Sequence, residues 1–318
     1  MSLPTNIQTT IDQILEKTTP SVLRKAREVL TERYRQTHNS ALIFSDEAGR
    51  LAYLATRFPA TFAAVRSVIT ELLRQNPAFL CQKILDLGAG PATASLAAID
   101  LLPQINEIVL VERNLDAVKL GRQLLSNIFT HKTEWLCQDL LKIEKFPEAD
   151  LAILSYSLGE IKHFEPLLEK LYKEKIAMLA IIEPGTPFGY QNILRARQSL
   201  LRLGAHIIAP CPHTKPCPLK QNDWCHFSTR LERTKLHRLL KEGSLGYEDE
   251  KFSYLIVSFT PITTKPAARI LRHPQKGSGH VRLSLCTLDG TVEEKTISRK
   301  DKEAYRAAKD SEWGDPWL

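Results

Sequence analysis

No stretch of this 318-residue chain approaches the roughly 20 consecutive apolar residues that a membrane-spanning helix needs. The opening MSLPTNIQTTIDQILEK has no basic stretch followed by an apolar run, so no signal peptide is read there. It also lacks the Arg- and Ser-rich, acid-poor character of a transit peptide. The expected compartment is therefore a reducing, bacterial-type cytoplasm with no membrane partner, where six cysteines are not expected to form disulfides. There is no internal repeat and no low-complexity tract.

What is present is the composition of a globular protein: 43% hydrophobic and 25% charged residues. The length allows two or three domains, and the expectation is a monomer when free. Charge is unevenly placed. Residues 1–194 hold 21 Lys and Arg against 22 Asp and Glu, whereas residues 195–318 hold 22 against 14. The whole basic excess lies in the second part, as expected for an anionic partner such as nucleic acid.

Periodicity divides the chain. Through residues 1–78, TTIDQILEK, SVLRKAREVLTERYRQ and LAYLATRFPATFAAVRSVITELLRQ place apolar residues three and four apart, which predicts a helical cap. Ser21 is a candidate N-cap for the second helix, and Pro59 marks a break or kink. From 79 to 204 the apolar runs KILDLGAG, EIVLVERN, ADLAILSYS and MLAIIEPG alternate with helix-like segments, the pattern of a doubly wound parallel sheet. FGYQNILRARQSLLRLG reads as a helix stopped by Gly204.

Segment 205–264 opens on a proline-rich loop, followed by LERTKLHRLLKEG as a basic helix, then an acidic turn entering a strand that returns to the core. Pro261 to Pro266 reads as a connector. Segment 265–318 holds a hairpin turning at Asp289-Gly290, then a helix over SRKDKEAYRAAKD.

The first apolar run ends in Asp86-Leu-Gly88-Ala-Gly90-Pro-Ala. Glycines permit a tight turn and close approach of backbone to a ligand, and the following helix offers free N–H groups. Glu112 closes the next strand, where an acid accepts hydrogen bonds from ribose hydroxyls. Asp139 lies in a loop after the third strand. The third glycine of the dinucleotide fingerprint is missing, and the DLGAGPA form instead resembles motif I of class I S-adenosylmethionine (SAM) methyltransferases. That resemblance implies Asp86, Gly88 and Gly90 at the amino-acid end of SAM, Glu112 at the ribose and Asp139 at the adenine. SYSLGEI stands where amine-methylating enzymes of this class carry Asn/Asp-Pro-Pro-Tyr. The catalytic residues are therefore unassigned. Cys81 and Cys137 read as core residues rather than nucleophiles.

Cys211, Cys217, Cys225 and Cys286 lack the Cys-x2–4-Cys pairs of zinc knuckles and ribbons. Three lie in APCPHTKPCPLKQNDWCHF and the fourth in VRLSLCTLDG. Prolines follow Cys211 and Cys217, a context also met at iron–sulfur ligands. Four thiolates serve either zinc or a cluster, and His213 and His226 are rival ligands. The tight Cys-x3-Cys-x2-Cys of radical SAM enzymes is absent.

Residues 50–318 resemble the Rsm22 family of methyltransferase-like proteins of the small ribosomal subunit. The matching stretches are LAYLATRFPATFAAV, ILDLGAGPATAS, IIEPGTPFGYQNILRAR, the CPH–CP–WCHF segment and the terminal LC–DG–SR–Y–WGD run. The resemblance implies a 4Fe–4S cluster on the four cysteines and association with small-subunit rRNA during assembly or translation. Two functions are expected from it: an rRNA methyltransferase, or a non-catalytic assembly factor that keeps the fold as a scaffold. For phosphate contacts the sequence offers Arg230, Arg233, Lys235, Arg238 and Lys241 on one presumed helix, and Trp224, Phe227, Trp313 and Trp317 for base stacking.

Overall fold

The computed structural model describes residues 1–36, 46–174, 176–220, 222–261 and 266–317. Four helices begin the chain: α1 (Thr5–Leu15), α2 (Pro20–Gln36), α3 (Glu47–Thr56) and α4 (Phe58–Gln75). The expected break falls between α3 and α4, with Pro59 in the first turn of α4. There a missing N–H costs nothing, because that group has no intrahelical acceptor. Ser21 is not the cap of α2. The helix opens at Pro20, and the Thr19 carbonyl accepts from Leu23 N–H at 3.2 Å.

The centre is a mixed sheet of eight strands among the described residues. Five are parallel, in the order β3 (Lys132–Leu136), β2 (Glu107–Val111), β1 (Lys83–Leu87), β4 (Ala149–Ser155) and β5 (Ile176–Pro184). Alternate residues of these strands enter two cores. Ile84, Ile108, Leu110 and Ile153 face the cap helices and α5 (Thr93–Leu101) and α6 (Leu115–Leu125). Leu85, Val109, Leu154 and Ile181 face α7 (Glu165–Lys173) and α8 (Pro187–Leu203). Burial on both faces explains why the strands read as unbroken apolar runs. Gly204, at φ +96°, ends α8 in the left-handed conformation.

Beyond β5 the sheet turns antiparallel. β8 (Tyr247–Ser258) pairs with β5, and β6 (His206–Ala209) and β7 (Phe227–Glu232) pair with β8. This corrects two expectations. The basic helix over 230–241 is a strand followed by the short α9 (Lys235–Lys241), and the acidic stretch Tyr247–Lys251 is strand rather than turn. Local periodicity could not separate them. Cross-strand pairing, with Arg230 opposite Asp249 and Leu231 opposite Glu248, decided it.

The chain ends in a second sheet: β9 (Ala268–Ile270), β10 (Gln275–Lys276), β11 (His280–Thr287), β12 (Val292–Ser298) and β13 (Pro316–Trp317). Helix α10 (Lys302–Asp310) contacts β11 and β12, and its Ala304, Tyr305 and Ala308 join their small core. The expected hairpin turn holds Gly290 at φ +76°. The connector predicted from Pro261 to Pro266 falls mostly on 262–265, outside the described residues. Cys81 is buried as expected, but Cys137 is exposed, because β3 is the sheet's edge strand and the chain leaves it one residue earlier.

Candidate functional site

Two cavities carry chemistry. The first has a volume of about 770 Å³ and lies at the carboxyl ends of the parallel strands. Strand order reverses between β1 and β4, and such switch points open a crevice for ligands. Asp86, Gly88, Gly90, Glu112 and Asp139, from three separate strand ends, all line it.

Each is held by local structure. One Asp86 carboxylate oxygen accepts from Ser95 N–H at 3.1 Å and Ser95 Oγ–H at 2.6 Å. The other, Oδ1, is buried with no partner among the described residues. Burial pushes the Asp86 carboxyl up to about 6, despite the opposing Ser95 bonds. Glu112 accepts from Gly90 N–H at 2.9 Å and Asn114 N–H at 2.7 Å, so it fixes the glycine turn. Each of its oxygens keeps a second lone pair for another donor. Asp139 accepts from Leu141 N–H at 2.9 Å. Gly88 is at φ +73°, and a Cβ there would stand 2.6 Å from Ser157 Cβ. Ala92 and Tyr156 also adopt positive φ, so strained backbone gathers around this cavity.

The reading of the sequence missed Glu183, at the end of β5. It is 1% exposed and lines the cavity, accepting from Gly159 N–H and Asn192 Nδ2–H, each at 3.3 Å. Burial pushes it up to about 7. The only signal was an acid closing the apolar run MLAII. At the position of the missing Asn/Asp-Pro-Pro-Tyr, Tyr156 turns its hydroxyl to Glu250 at 3.1 Å, and Glu250 also pairs with Arg57 at 3.1 Å.

The second cavity is small and lined by Cys211, Cys217, Cys225 and Cys286, which loop and hairpin bring together from distant sequence. Tyr190 Oη–H donates to Cys217 Sγ at 3.2 Å, and His213 Nε2 lies 3.4 Å from Cys286 Sγ. His226 is not in the lining. It stacks on Trp224 and meets Trp313 edge-on, which removes it as a rival ligand. Burial, then mutual repulsion, pushes Cys225 far up and Cys286 up to about 12. Burial raises Cys211 as well, so these three thiols resist ionising together. Among the described residues no three Cys, His, Asp or Glu side chains sit in the geometry of a single bound ion. A lone zinc needs its sulfurs about 2.3 Å from one point, whereas a cluster gives each cysteine its own iron.

The residues proposed for RNA are mostly engaged otherwise. Arg230 pairs with Asp249 at 2.8 Å, and Arg233 and Lys241 pair with Glu248 at 2.8 and 2.7 Å. Lys235 and Arg238 remain exposed. Trp224 donates to Gly185 O at 3.0 Å, Phe227 is buried against Tyr254, Trp313 lies between two histidines and Trp317 joins the C-terminal core. Each of these aromatics packs against a segment distant in sequence, and Phe227 is buried there.

The family model described as "Mitochondrial small ribosomal subunit Rsm22" matches residues 47–318. The chain belongs to the Rsm22 family. Two Rsm22-cox11 tandem proteins, mitochondrial, of Schizosaccharomyces pombe are each 27% identical to it over 381 residues, covering 99% of this chain and 50% of theirs. The human "Ribosome assembly protein METTL17, mitochondrial" is 27% identical over 285 residues, covering 83% of this chain and 61% of its own. This Rsm22-family chain thus spans about half to three fifths of the length of these relatives. Among solved structures, a SAM-dependent methyltransferase from Aquifex aeolicus covers 66% of this chain and 97% of its own at 13% identity and a TM-score of 0.42, a likeness too slight to bear on function. Among the described residues no helix is long and apolar enough to cross a membrane.

Proposed function

We propose that this Rsm22-family chain is a SAM-binding, methyltransferase-like protein that acts on or binds small-subunit rRNA in ribosome assembly or translation. In this reading Cys211, Cys217, Cys225 and Cys286 hold a 4Fe–4S cluster, with zinc as the rival occupant. The observation that carries it is the gathering of five acid and glycine positions at one switch-point cavity, beside a second cavity lined by four cysteines.

The residues fit these groups. The unpartnered, buried Asp86 Oδ1 suits a cationic amino group, Gly88 at positive φ lets the turn pack on Ser157 and keep its backbone at the cavity, and Glu112 has lone pairs for ribose hydroxyls. Asp139 stands on the adenine side. SAM, when bound, supplies an electrophilic methyl group. The chain's part is alignment and exclusion of water, since methyl transfer depends on geometry more than on acid–base groups. The four cysteines line one small cavity, three from a proline-rich loop and one from a distant hairpin, which supports a cluster there. Ligation would cross-link that loop to the C-terminal sheet. A reducing, bacterial-type cytoplasm would keep the thiols available.

The scaffold reading has its own support: Tyr156 stands at the acceptor position and spends its hydroxyl on Glu250. The test uses anaerobically purified protein. Titrated by calorimetry, wild type is expected to bind SAM in the micromolar range and Asp86→Ala at least tenfold more weakly; no heat from either ends the SAM assignment. The same preparation is expected to be brown and to contain iron and sulfide, whereas stoichiometric zinc without visible absorbance ends the cluster assignment. Methyl mapping of small-subunit rRNA from a deletion strain then separates enzyme from scaffold.

A further inference from the structure

The basic excess of the second half has to present itself somewhere, and the helix the sequence nominated is not the place. Three of its five cations are neutralised by Asp249 and Glu248. The C-terminal sheet offers another location. Its strand β11 runs from Cys286, at the cysteine cavity, to His280, roughly 20 Å away at about 3.4 Å per residue. One end of the module is thus tied to the core and the other projects from it.

Two turns meet at the projecting end. Residues 276–280, KGSGH, join β10 to β11, and residues 298–302, SRKDK, join β12 to α10. Arg299 links them: its N–H donates to Gly279 O at 2.9 Å and its guanidinium to Ser278 O at 3.2 Å. A Cβ on Gly279 would meet nothing within 4 Å, so the turn stands clear of its surroundings. Lys276, Arg282, Arg299, Lys300 and Lys302 are all exposed. Among the described residues, no ion pair engages any of the five; Asp301 and Glu303 adjoin Lys300 and Lys302 in sequence, and Glu294 lies two residues from Thr296, the cross-strand partner of Arg282. The neighbours Gln275, Ser278, Thr296 and Ser298 add neutral polar groups, and no large apolar side chain is exposed on these two turns.

We propose that this two-turn basic tip is the surface through which the chain grips the phosphate backbone of RNA. Unpaired cations on short turns, free of apolar contacts, suit a repeating polyanion, whose affinity comes from counterion release. The tip contacts backbone, so it contributes affinity and orientation but no base selectivity. The inference rests on the rRNA-binding reading above and locates its contact surface.

The test measures binding of a short mixed-sequence RNA duplex by fluorescence anisotropy over roughly 50–200 mM salt. It compares the full chain with a tip variant, Lys276→Gln, Arg282→Gln, Lys300→Gln and Lys302→Gln, and with Lys235→Gln/Arg238→Gln on α9. Arg299 is kept, because it ties the turns together. For wild type, log affinity should fall steeply with log salt. The tip variant should bind at least tenfold more weakly, with a slope shallower by about 3.6, that is about 0.9 for each of the four lost phosphate contacts. The α9 variant should lose less than threefold. Equal affinity and slope for wild type and tip variant overturn the tip while leaving the rRNA reading intact, as does a larger loss in the α9 variant. Unchanged RNA affinity with lost ribosomal-subunit association would assign the tip to an acidic protein, and also overturns it. Failure of wild type to bind RNA at all removes both readings.

Discussion

Asp86 shows how far one residue can be read. An acid closing an apolar run before a glycine turn marks a ligand position. What the sequence withholds is its cost. Asp86 is 1% exposed, and its folded-state value of about 6 lies above the ordinary 3.8. The native state therefore binds the proton more tightly than the unfolded chain. The resulting stability is complete below about pH 4 and is lost as pH rises through 6. Above that, the ionised carboxylate costs about 3 kcal/mol. Asp86→Asn removes this cost but buries an unpaired amide, leaving a net gain of about 1–2 kcal/mol at pH 8. Urea midpoints across pH should show the variant more stable than wild type at pH 8. The advantage should vanish at about pH 5 and reverse toward pH 4, where only the cost of the amide remains, and SAM affinity should fall throughout. Glu183, raised by the same cause, was hidden because its neighbours Gly159 and Asn192 come from other elements.

Helix α8 joins the two cavities. Thr186 and Phe188 at its start line the first, and Tyr190, Ile193 and Arg197 further along line the second. Its entry depends on Gly189, where a Cβ would stand 2.1 Å from Pro184 O, an atom of backbone that no rotamer change can move. Gly189→Ala should destabilise the fold by about 2–3 kcal/mol, in the range of overpacked sites. Denaturant unfolding would measure this. Because α8 bears on both sites, metal content and SAM affinity should fall together in the folded fraction. The helix itself was legible from its apolar period and Gly204, and so was the apolar half of β8, whereas β7 and the acidic start of β8 were not. Polar, half-exposed strands carry no alternation strong enough to outweigh a run of Lys, Arg and Leu, and their assignment came from cross-strand ion pairs such as Arg230 with Asp249.

At the scale of the molecule, Arg269 docks the C-terminal sheet on the helical cap. It is 1% exposed and pairs with Glu71 of α4 at 2.6 Å. It also donates to Pro210 O at 2.9 Å, beside Cys211, and to Gly314 O at 2.8 Å. Arg269→Ala leaves Glu71 its bonds from Arg74 and Gln75 but takes the donor from the Pro210 and Gly314 carbonyls, so it should cost about 2–4 kcal/mol by chemical denaturation. The variant Arg269→Lys, which keeps the charge beside Glu71 but cannot reach all three acceptors at once, should recover part of that loss.

The sequence by itself determined the elements whose signals are local: the apolar strands of the parallel sheet, the glycine turn with its acids, the Asp289-Gly290 hairpin and the cysteine-rich loop. Each is written in residues near one another, where periodicity and turn chemistry act directly. Only the tertiary structure decided what depends on distant partners. It brought Cys286 to the other three cysteines, removed His226 as a rival and packed the aromatics expected to stack on bases against distant segments. It also paired three of the five cations of 230–241 with acids of β8. Burial and ion pairing are properties of surfaces that meet only after folding, and no local pattern records which surfaces those are.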